Sequence, residues 1–521
     1  MSYLSEHTLV HIIAEQAGKR PDQAAYVCED RSTTYAELHR ESNRVAHGIR
    51  AAGLGPGARV AYLGRDSEYF TQALFGCAKA GTVLVPINWR LAKGEVEQIL
   101  RDSGSELLLA EPESLPGADR IRSVLPGLRR LVPLGTPGTP NDFDAWKAEQ
   151  PDSDVDPGAS GDDPVVQIYT SGTTGAPKGV VLAHRTFLAA HHLQTSNGVD
   201  WLTWRPSDTT LICLPGFHVG GLWGLVQPLL AGGRVIVMRA FVAQHALRII
   251  RTYGVTFVGM VPAMLQTVLR EPGVTRADFA RVRKVIYGGS PISPALLTEC
   301  MELMDAEFGQ LYGLTETGNV AVCLPPEAHV PGSPRLAAAG RPLPGVEAKV
   351  IDRDGRRLPA GAKGEVCLRS PARMLEYWHR PEETRATLID GWVHTGDVGH
   401  FDDDGYLFIS DRIKDLILVA GQNVYPAEIE NALRAHPAVV DVVVVGAPDD
   451  RWGEAVQAFL VAAPGTSPTP RELRLFLRDR IADFKIPTRY EYVDQLPRNA
   501  SGKVLRRQLR DPLWQHLDRT V

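Results

Sequence analysis

The sequence predicts an α/β protein: a large N-terminal domain of covered, largely parallel sheets with a small β region, followed by a small mobile α+β C-terminal domain. Three observations predict it. Short apolar, β-prone runs alternate with amphipathic helical stretches over the first 300 or so residues, as parallel strands joined by helical crossovers require. After about residue 340 the spacing tightens to strand-like runs joined by turns, which marks the β region. The last hundred or so residues form a compact set of helix and strand patterns of their own, and 521 residues with 44% apolar content suffice for two or more domains.

In chain order, "ARVAYLG" (58–64) reads as a buried strand and "SEYFTQALFGCAKAG" as a helix ending at Gly81. "TVLVPIN" reads as a strand, "KGEVEQILRDSG" as a helix and "ELLLAE" as a strand. Residues 112–163, rich in Pro, Gly and Asp, read as exposed connections. The alternation resumes with the strands "TLICLPG", "GRVIVM", "VTFVGMVP" and "RKVIYGG", and "EAKVIDRDGRRLPAGAKGEVCLRS" reads as two strands joined by a turn. The helix "PAEIENALRAH" opens on Pro426, "VVDVVVVGAP" and "AVQAFLVAA" are strands, and "RELRLFLRDRIADF" sets Leu473, Phe476, Leu477 and Ile481 on one helical face.

Composition narrows the function. A net charge of −5 argues against nucleic acid or an anionic membrane as the main partner. No stretch approaches the ~20 uninterrupted apolar residues of a membrane span, and the start "MSYLSEHTLVHII" lacks a signal-peptide pattern. The expectation is a cytoplasmic protein without integral membrane association. The six cysteines show no CxxC or Cys/His spacing, which fits reduced core thiols rather than disulfides or zinc.

The stretch "YTSGTTGAPKGV" (169–180) stands between the apolar runs "VVQIY" and "GVVLA". A flexible linker is one reading of such a glycine- and hydroxyl-rich segment. A phosphate cradle is the other: glycines let backbone N–H groups converge on an anion, hydroxyls add donors, and Lys178 adds charge. It is not a Walker loop, because Gly179 follows the lysine. "YGLTETGN" places Thr315 and Glu316 in a polar turn after a strand, where a carboxylate can hold Mg²⁺ or cap a helix. "YGGSPIS" offers Gly288 and Gly289 at another strand end, as a flat-ring seat or an ordinary turn. In "HTGDVGHFDDDGY", Asp397 suits ribose hydroxyls, while Asp402 to Asp404 with Gly405 read as a hairpin turn. Arg412 assists the ribose or belongs to a surface charge cluster.

Taken in order, "YTSGTTGAPKGV", "PGFHVGGL", "YGLTETG", "GWVHTGDVGHFDDDGYLFISDRIKDLI", "GQNVYPAEIE" and "PRNASGKVLRR" resemble the acyl-adenylate-forming ligases. These include acyl-CoA synthetases, aryl-CoA ligases, peptide-synthetase adenylation domains and beetle luciferase, and the resemblance covers nearly the whole chain. It implies an acid–thiol ligase: a carboxylate attacks the α-phosphate of ATP, pyrophosphate leaves, and the thiol of coenzyme A displaces AMP.

The resemblance also implies roles. Thr170, Ser171, Gly172, Thr173, Thr174, Gly175 and Lys178 would hold the β- and γ-phosphates, with Thr174 and Lys178 as the working members. Glu316 would bind Mg²⁺ and Thr315 the α-phosphate; Tyr312 and the turn Gly288, Gly289 and Ser290 would flank adenine, with Gly313 also among the nucleotide-binding residues; Asp397 and Arg412 would take the ribose. Lys503 would reach the reacting carboxylate and α-phosphate from a small domain (413–521) that turns against a large one (1–412) about Lys414. Gly421 would line the pantetheine tunnel, although the chain reads Val419, Ala420, Gly421, Gln422 where many members read Ser-Gly-Gly-Glu. His218 would gate the acyl pocket, or be a buried structural histidine.

The expected pocket residues Gly220, Gly221, Trp223, Met260, Gly318 and Val320 carry no charge, which points to a hydrophobic acid: fatty, aryl or polycyclic. Three functions stay open at this stage. The first is a full acid:CoA ligase; the second takes a preformed acyl-adenylate to CoA or loads a separate carrier protein; the third is a non-catalytic nucleotide-binding protein. A homodimer is also left open.

Overall fold

The computed structural model describes the chain except residues 1, 116–119, 122, 124, 171–176, 291, 420–421, 450–452, 479, 500–503 and 516–521. The described chain forms two compact units, one of residues 1–348 and 368–394, the other of 349–367 and 395–521. The boundary expected at 412/413 falls inside the second unit.

The first unit is built on two sheets of nine and seven strands. In the larger one, Arg234–Val237, Thr209–Ile212, Phe257–Met260, Lys284–Gly288 and Glu307–Tyr312 run parallel side by side. In the smaller, Arg59–Leu63 lies parallel to both Val83–Ile87 and Leu107–Ala110. The helices Leu9–Lys19, Tyr35–Ala51, Glu68–Ala80 and Val219–Leu230 share one apolar core with both sheets. The opposite faces are covered by Ala243–Tyr253, Pro262–Leu269 and Pro294–Leu303 on the larger sheet, and by Lys93–Ser103 on the smaller. Burial on both faces explains why these strands read as continuous apolar runs rather than alternating ones.

The predicted punctuation holds locally. Ser67 caps Glu68–Ala80 by accepting from Tyr69 N–H, and Gly81 ends it at φ +76°, a left-handed conformation cheap only for glycine. Residues 112–163 are less open than expected. They contain the strand Arg130–Pro133 and the helix Asp142–Ala148, whose Phe143 and Trp146 are buried. Trp146 lies against Gly48, where a Cβ would stand 2.4 Å from the indole; the close approach of the two helices is what buries this segment.

The second unit holds a sheet of Gln422–Val424, Ile417–Val419, Gly453–Ala462, Val439–Asp449 and Arg489–Tyr492. The helix Pro426–Arg434 packs on it through Ile429 and Leu433, and Pro470–Arg478 through Leu473 and Leu477. The latter stops at Arg478 instead of running on to Phe484; a 3₁₀ turn, Asp483–Lys485, follows. Among the described residues no helix is long and apolar enough to cross a membrane. All six cysteines are free and buried, as expected.

Candidate active site

The four parallel strands ending at Ile212, Met260, Gly288 and Tyr312 are neighbours in one sheet. Each is followed by a segment singled out in the sequence, so those segments gather at one edge, outside the carboxyl ends of the strands, where α/β sheets bind ligands. Gly288 pairs with Leu311, which sets Tyr312 one residue beyond it at the same edge. Gly288 also allows close packing: a Cβ there would lie 2.3 Å from the Leu311 carbonyl oxygen. Gly288→Ala is therefore expected to destabilise the protein by about 1–3 kcal/mol through forced strand separation, read as a lowered denaturant midpoint. An unchanged midpoint would show that the strands can part freely. Gly289 turns the chain at φ +78°.

Thr315 and Glu316 lie in the 3₁₀ turn Thr315–Thr317 directly after Glu307–Tyr312, closed by Gly318 at φ +77°. Glu316 does more than end a turn: its Oε1 accepts the hydroxyl of Tyr377 at 2.7 Å. Tyr377 reaches it from the two-residue strand Glu376–Tyr377, which pairs antiparallel with Lys178–Ala183 through Tyr377↔Val180 and Glu376↔Val181. Burial, then the Glu316 charge, pushes the Tyr377 phenol well above its ordinary range, so it is a permanent donor to the carboxylate.

The glycine-rich stretch is the connection of a hairpin, Pro164–Thr170 against Lys178–Ala183, with Thr170 facing Lys178. Ser171, Gly172, Thr173, Thr174 and Gly175 lie outside the described residues, but Lys178 at the hairpin's exit does not. Its Nζ pairs with Glu383 Oε2 and sits 5.3 Å from the centre of the Tyr377 ring. Tyr377 thus links the two groups: its ring lies under the lysine and its hydroxyl binds the glutamate.

His218 is the N-cap residue of Val219–Leu230. Its Nε2 is buried with no hydrogen-bond partner, and burial drives the imidazole down to about 4; it is neutral at pH 7. Of the expected pocket residues, Gly221 and Gly318 serve close packing. Added Cβ atoms there would come within 2.1 Å of the Pro215 oxygen and 2.4 Å of the Ala372 oxygen, so these glycines make no room for an acid. Gly220 has a looser neighbour, Leu214 Cδ1 at 3.3 Å. Trp223 stands edge-on to Trp204 at 5.4 Å, and Met260 and Val320 are buried. Room lies instead at Gly259, in the strand Phe257–Met260, where an added Cβ would meet nothing within 4 Å. The run 258–262 reads from the sequence as pocket-lining, without Gly259 being singled out within it.

In the second unit, the turn closed by Asp402 and Gly405 joins Trp392–Phe401 to Leu407–Arg412 and brings Asp397 opposite Arg412, whose Nε lies 3.2 Å from Asp397 Oδ1. A carboxylate 4% exposed and paired with a guanidinium is oriented to accept hydroxyls. Lys414 follows in the turn Ile413–Asp415, and burial together with Arg412 holds its ammonium below the usual lysine range. Lys503 and Gly421 lie outside the described residues.

The sequence model of the AMP-binding enzyme family matches residues 13–378, and that of the AMP-binding enzyme C-terminal domain matches 428–503. The chain belongs to the AMP-binding enzyme family. Within it, the chain is 57% identical over 508 residues, 97% of its length and 96% of the relative's, to the fatty acid–[acyl-carrier-protein] ligase ScoC of Streptomyces coeruleorubidus. It is 38% identical to feruloyl-CoA synthase of an Amycolatopsis species, over 92% of this chain and 93% of that one. Among solved structures, o-succinylbenzoate CoA synthetase (MenE) of Bacillus subtilis with the acyl-adenylate OSB-AMP matches at a TM-score of 0.83 and 32% identity, covering 96% of this chain and 97% of that one. This AMP-binding enzyme is therefore an adenylate-forming acid ligase by family and fold.

Whether the residues fit Mg²⁺ can be tested on the donor set. Glu316 is a carboxylate whose Oε1 is anchored by Tyr377, while no described residue bonds its Oε2. A single oriented oxygen suits a cation that keeps its waters and takes its remaining ligands from phosphate. The fit is good.

Proposed function

We propose that the protein converts a hydrophobic carboxylic acid to its acyl-adenylate and passes the acyl group to a pantetheine thiol carried on an acyl carrier protein. The observation that carries the adenylating half is the joining of Lys178 and Glu316 through Tyr377 at the exit of the glycine hairpin. It supports a reading in which one cation and one anchored carboxylate meet a triphosphate beside the loop.

In this reading a carboxylate oxygen of the acid attacks the α-phosphorus, the bond to the bridging oxygen breaks, and pyrophosphate leaves along the hairpin toward Lys178. Glu316 would hold Mg²⁺, which when bound supplies positive charge to the phosphate oxygens. Tyr377 keeps that carboxylate aimed. Thr315 would donate to the α-phosphate; Gly288, Gly289, Ser290, Tyr312 and Gly313 would flank adenine; Asp397 and Arg412 would orient the ribose. Lys503 adds charge at the reacting oxygens, where preorganised donors act on charge that develops in the transition state. The part from 413 onward then turns about Lys414 and brings Gly421 to the thiol path. The thiolate attacks the acyl carbon, the acyl–oxygen bond breaks, and AMP departs. Both substrates and products are those of the cytoplasm, where this reading puts the enzyme.

The acceptor follows the 57% relative, whose name specifies a carrier protein. Coenzyme A is the second reading, favoured by CoA ligases at 35–38% identity over more than nine-tenths of the chain; both acceptors present the same pantetheine thiol. The test is pyrophosphate release from ATP and Mg²⁺ across a panel of acids, followed by transfer to CoA or to holo-carrier protein. Acid-dependent pyrophosphate with thioester on the carrier supports the proposal. Thioester on CoA alone supports the second reading, and no pyrophosphate with any acid overturns both.

Acid length would be read at Gly259. Gly259→Leu fills the open space beside it and is expected to raise KM for the longest accepted acid about ten- to a hundredfold while sparing the shortest, since a few methylenes decide such pockets. Equal effects on all acids would place the tail elsewhere.

A further inference from the structure

The Lys178–Glu383 ion pair poses an electrostatic problem for the proposed adenylation. Lys178 is the cation assigned to the leaving phosphates, yet its Nζ already pairs with Glu383, the side chains being 15% and 32% exposed. Tyr377 stands by one cation, Lys178, and two carboxylates, Glu316 and Glu383. Glu316 has Mg²⁺ as its counter-charge in the proposed reaction. Among the described residues, the ion-pair partner of Glu383 is Lys178.

The scaffold holds Glu383 in place. It lies in the first turn of the short helix Pro381–Thr387. Before that helix, the strand Glu376–Tyr377 pairs with the hairpin strand, and Trp378 donates its backbone N–H to Gly179 O at 2.7 Å. The Trp378 indole donates to Asp102 O at 3.2 Å beneath the Arg59 guanidinium, 3.4 Å from the ring centre. Thr384 bonds back to Arg380 O at 2.8 Å. A carboxylate delivered by so firmly tied a segment is a fixed feature of the lysine's surroundings.

Granted that Lys178 meets the leaving phosphates in adenylation, we propose that Glu383 is a resident anion that exchanges with phosphate on Lys178: it holds the ammonium in place before ATP binds, yields it to the β- and γ-phosphates, and recaptures it as pyrophosphate leaves. Glu383 is a positioning residue, acting on the reaction through Lys178. Its charge weakens the grip on pyrophosphate after the phosphoanhydride bond has broken, so release is favoured over reversal. The cost falls on ATP binding, where the same competition operates.

The test is pyrophosphate affinity of the full chain, measured by calorimetry with Mg²⁺ and by product inhibition. Glu383→Gln keeps the shape and removes the charge. It is expected to tighten pyrophosphate binding and lower KM for ATP by about five- to twentyfold, as losing a partly buried competing charge implies. It should leave AMP affinity unchanged, because AMP lacks the phosphates that meet Lys178. It should also slow turnover late in progress curves, a lag that added inorganic pyrophosphatase relieves. Glu383→Ala should shift pyrophosphate in the same direction, which covers the case of a misfolded glutamine variant. In a Lys178→Gln background the Glu383→Gln effect should vanish. Wild-type pyrophosphate affinity in Glu383→Gln, with Lys178→Gln weakened, overturns the exchange alone. Wild-type affinity in Lys178→Gln overturns the phosphate assignment of Lys178 and the exchange with it. A tightening that persists without Lys178 also overturns the exchange.

Discussion

Lys503→Ala is expected to lower acid-dependent pyrophosphate release by about 10²- to 10³-fold, the usual cost of removing one preorganised donor from developing charge. Adenylation gathers a carboxylate and a triphosphate, so the approach of the attacking oxygen to the α-phosphorus is opposed by like charge. An ammonium brought to both oxygens offsets that repulsion most where they are closest, which is the transition state; the loss should therefore appear in kcat more than in KM for the acid. Thioester formation from a synthetic acyl-adenylate should persist in the variant, because that step begins after pyrophosphate has left. Equal loss of both half-reactions would mean that Lys503 supports the fold or the thiol step instead.

Glu316→Gln is expected to lower adenylation by a similar factor, about 10²- to 10³-fold, and to raise the Mg²⁺ concentration needed for half-maximal rate, since a metal worth several kcal/mol to the transition state loses its protein anchor. The amide oxygen can still accept from Tyr377, whose hydroxyl lies 2.7 Å from Oε1 in the wild type, so the turn keeps its geometry and only charge is removed. A saturating Mg²⁺ titration distinguishes the causes. Partial rescue at high Mg²⁺ fits a weakened metal site, whereas an unaltered Mg²⁺ dependence would show that Glu316 holds no metal and serves the turn.

Much of the site was legible because its pieces are local. Asp397 and Arg412 are 15 positions apart with a turn at Asp402 to Gly405 between them, so a hairpin brings them close, and a register shift between Val398 and Gly399 sets them opposite each other. Lys178 follows Thr170 across a short loop between two apolar runs, and they too face each other. The turn bearing Thr315 and Glu316 announces itself by polarity after a strand. Nothing comparable marks Tyr377 and Glu383. The segment "LEYWHRPEET" has no apolar period, its strand is two residues long, and its partner lies almost 200 positions earlier.

The sequence by itself determined the alternation of strand and helix, the places where chains turn, and the charged residues that stand at those turns. These follow from backbone preferences and from which side chains avoid water, both properties of short stretches. Only the tertiary structure decided which distant groups meet: Tyr377 on Glu316, Glu383 on Lys178, Trp146 against Gly48, and open space at Gly259 where Gly221 and Gly318 are filled by backbone. Pattern reports that a side chain is covered but not what covers it. The partner is selected by sheet pairing and by packing between segments far apart in the chain, and that selection sets the charge balance around the lysine of the glycine hairpin.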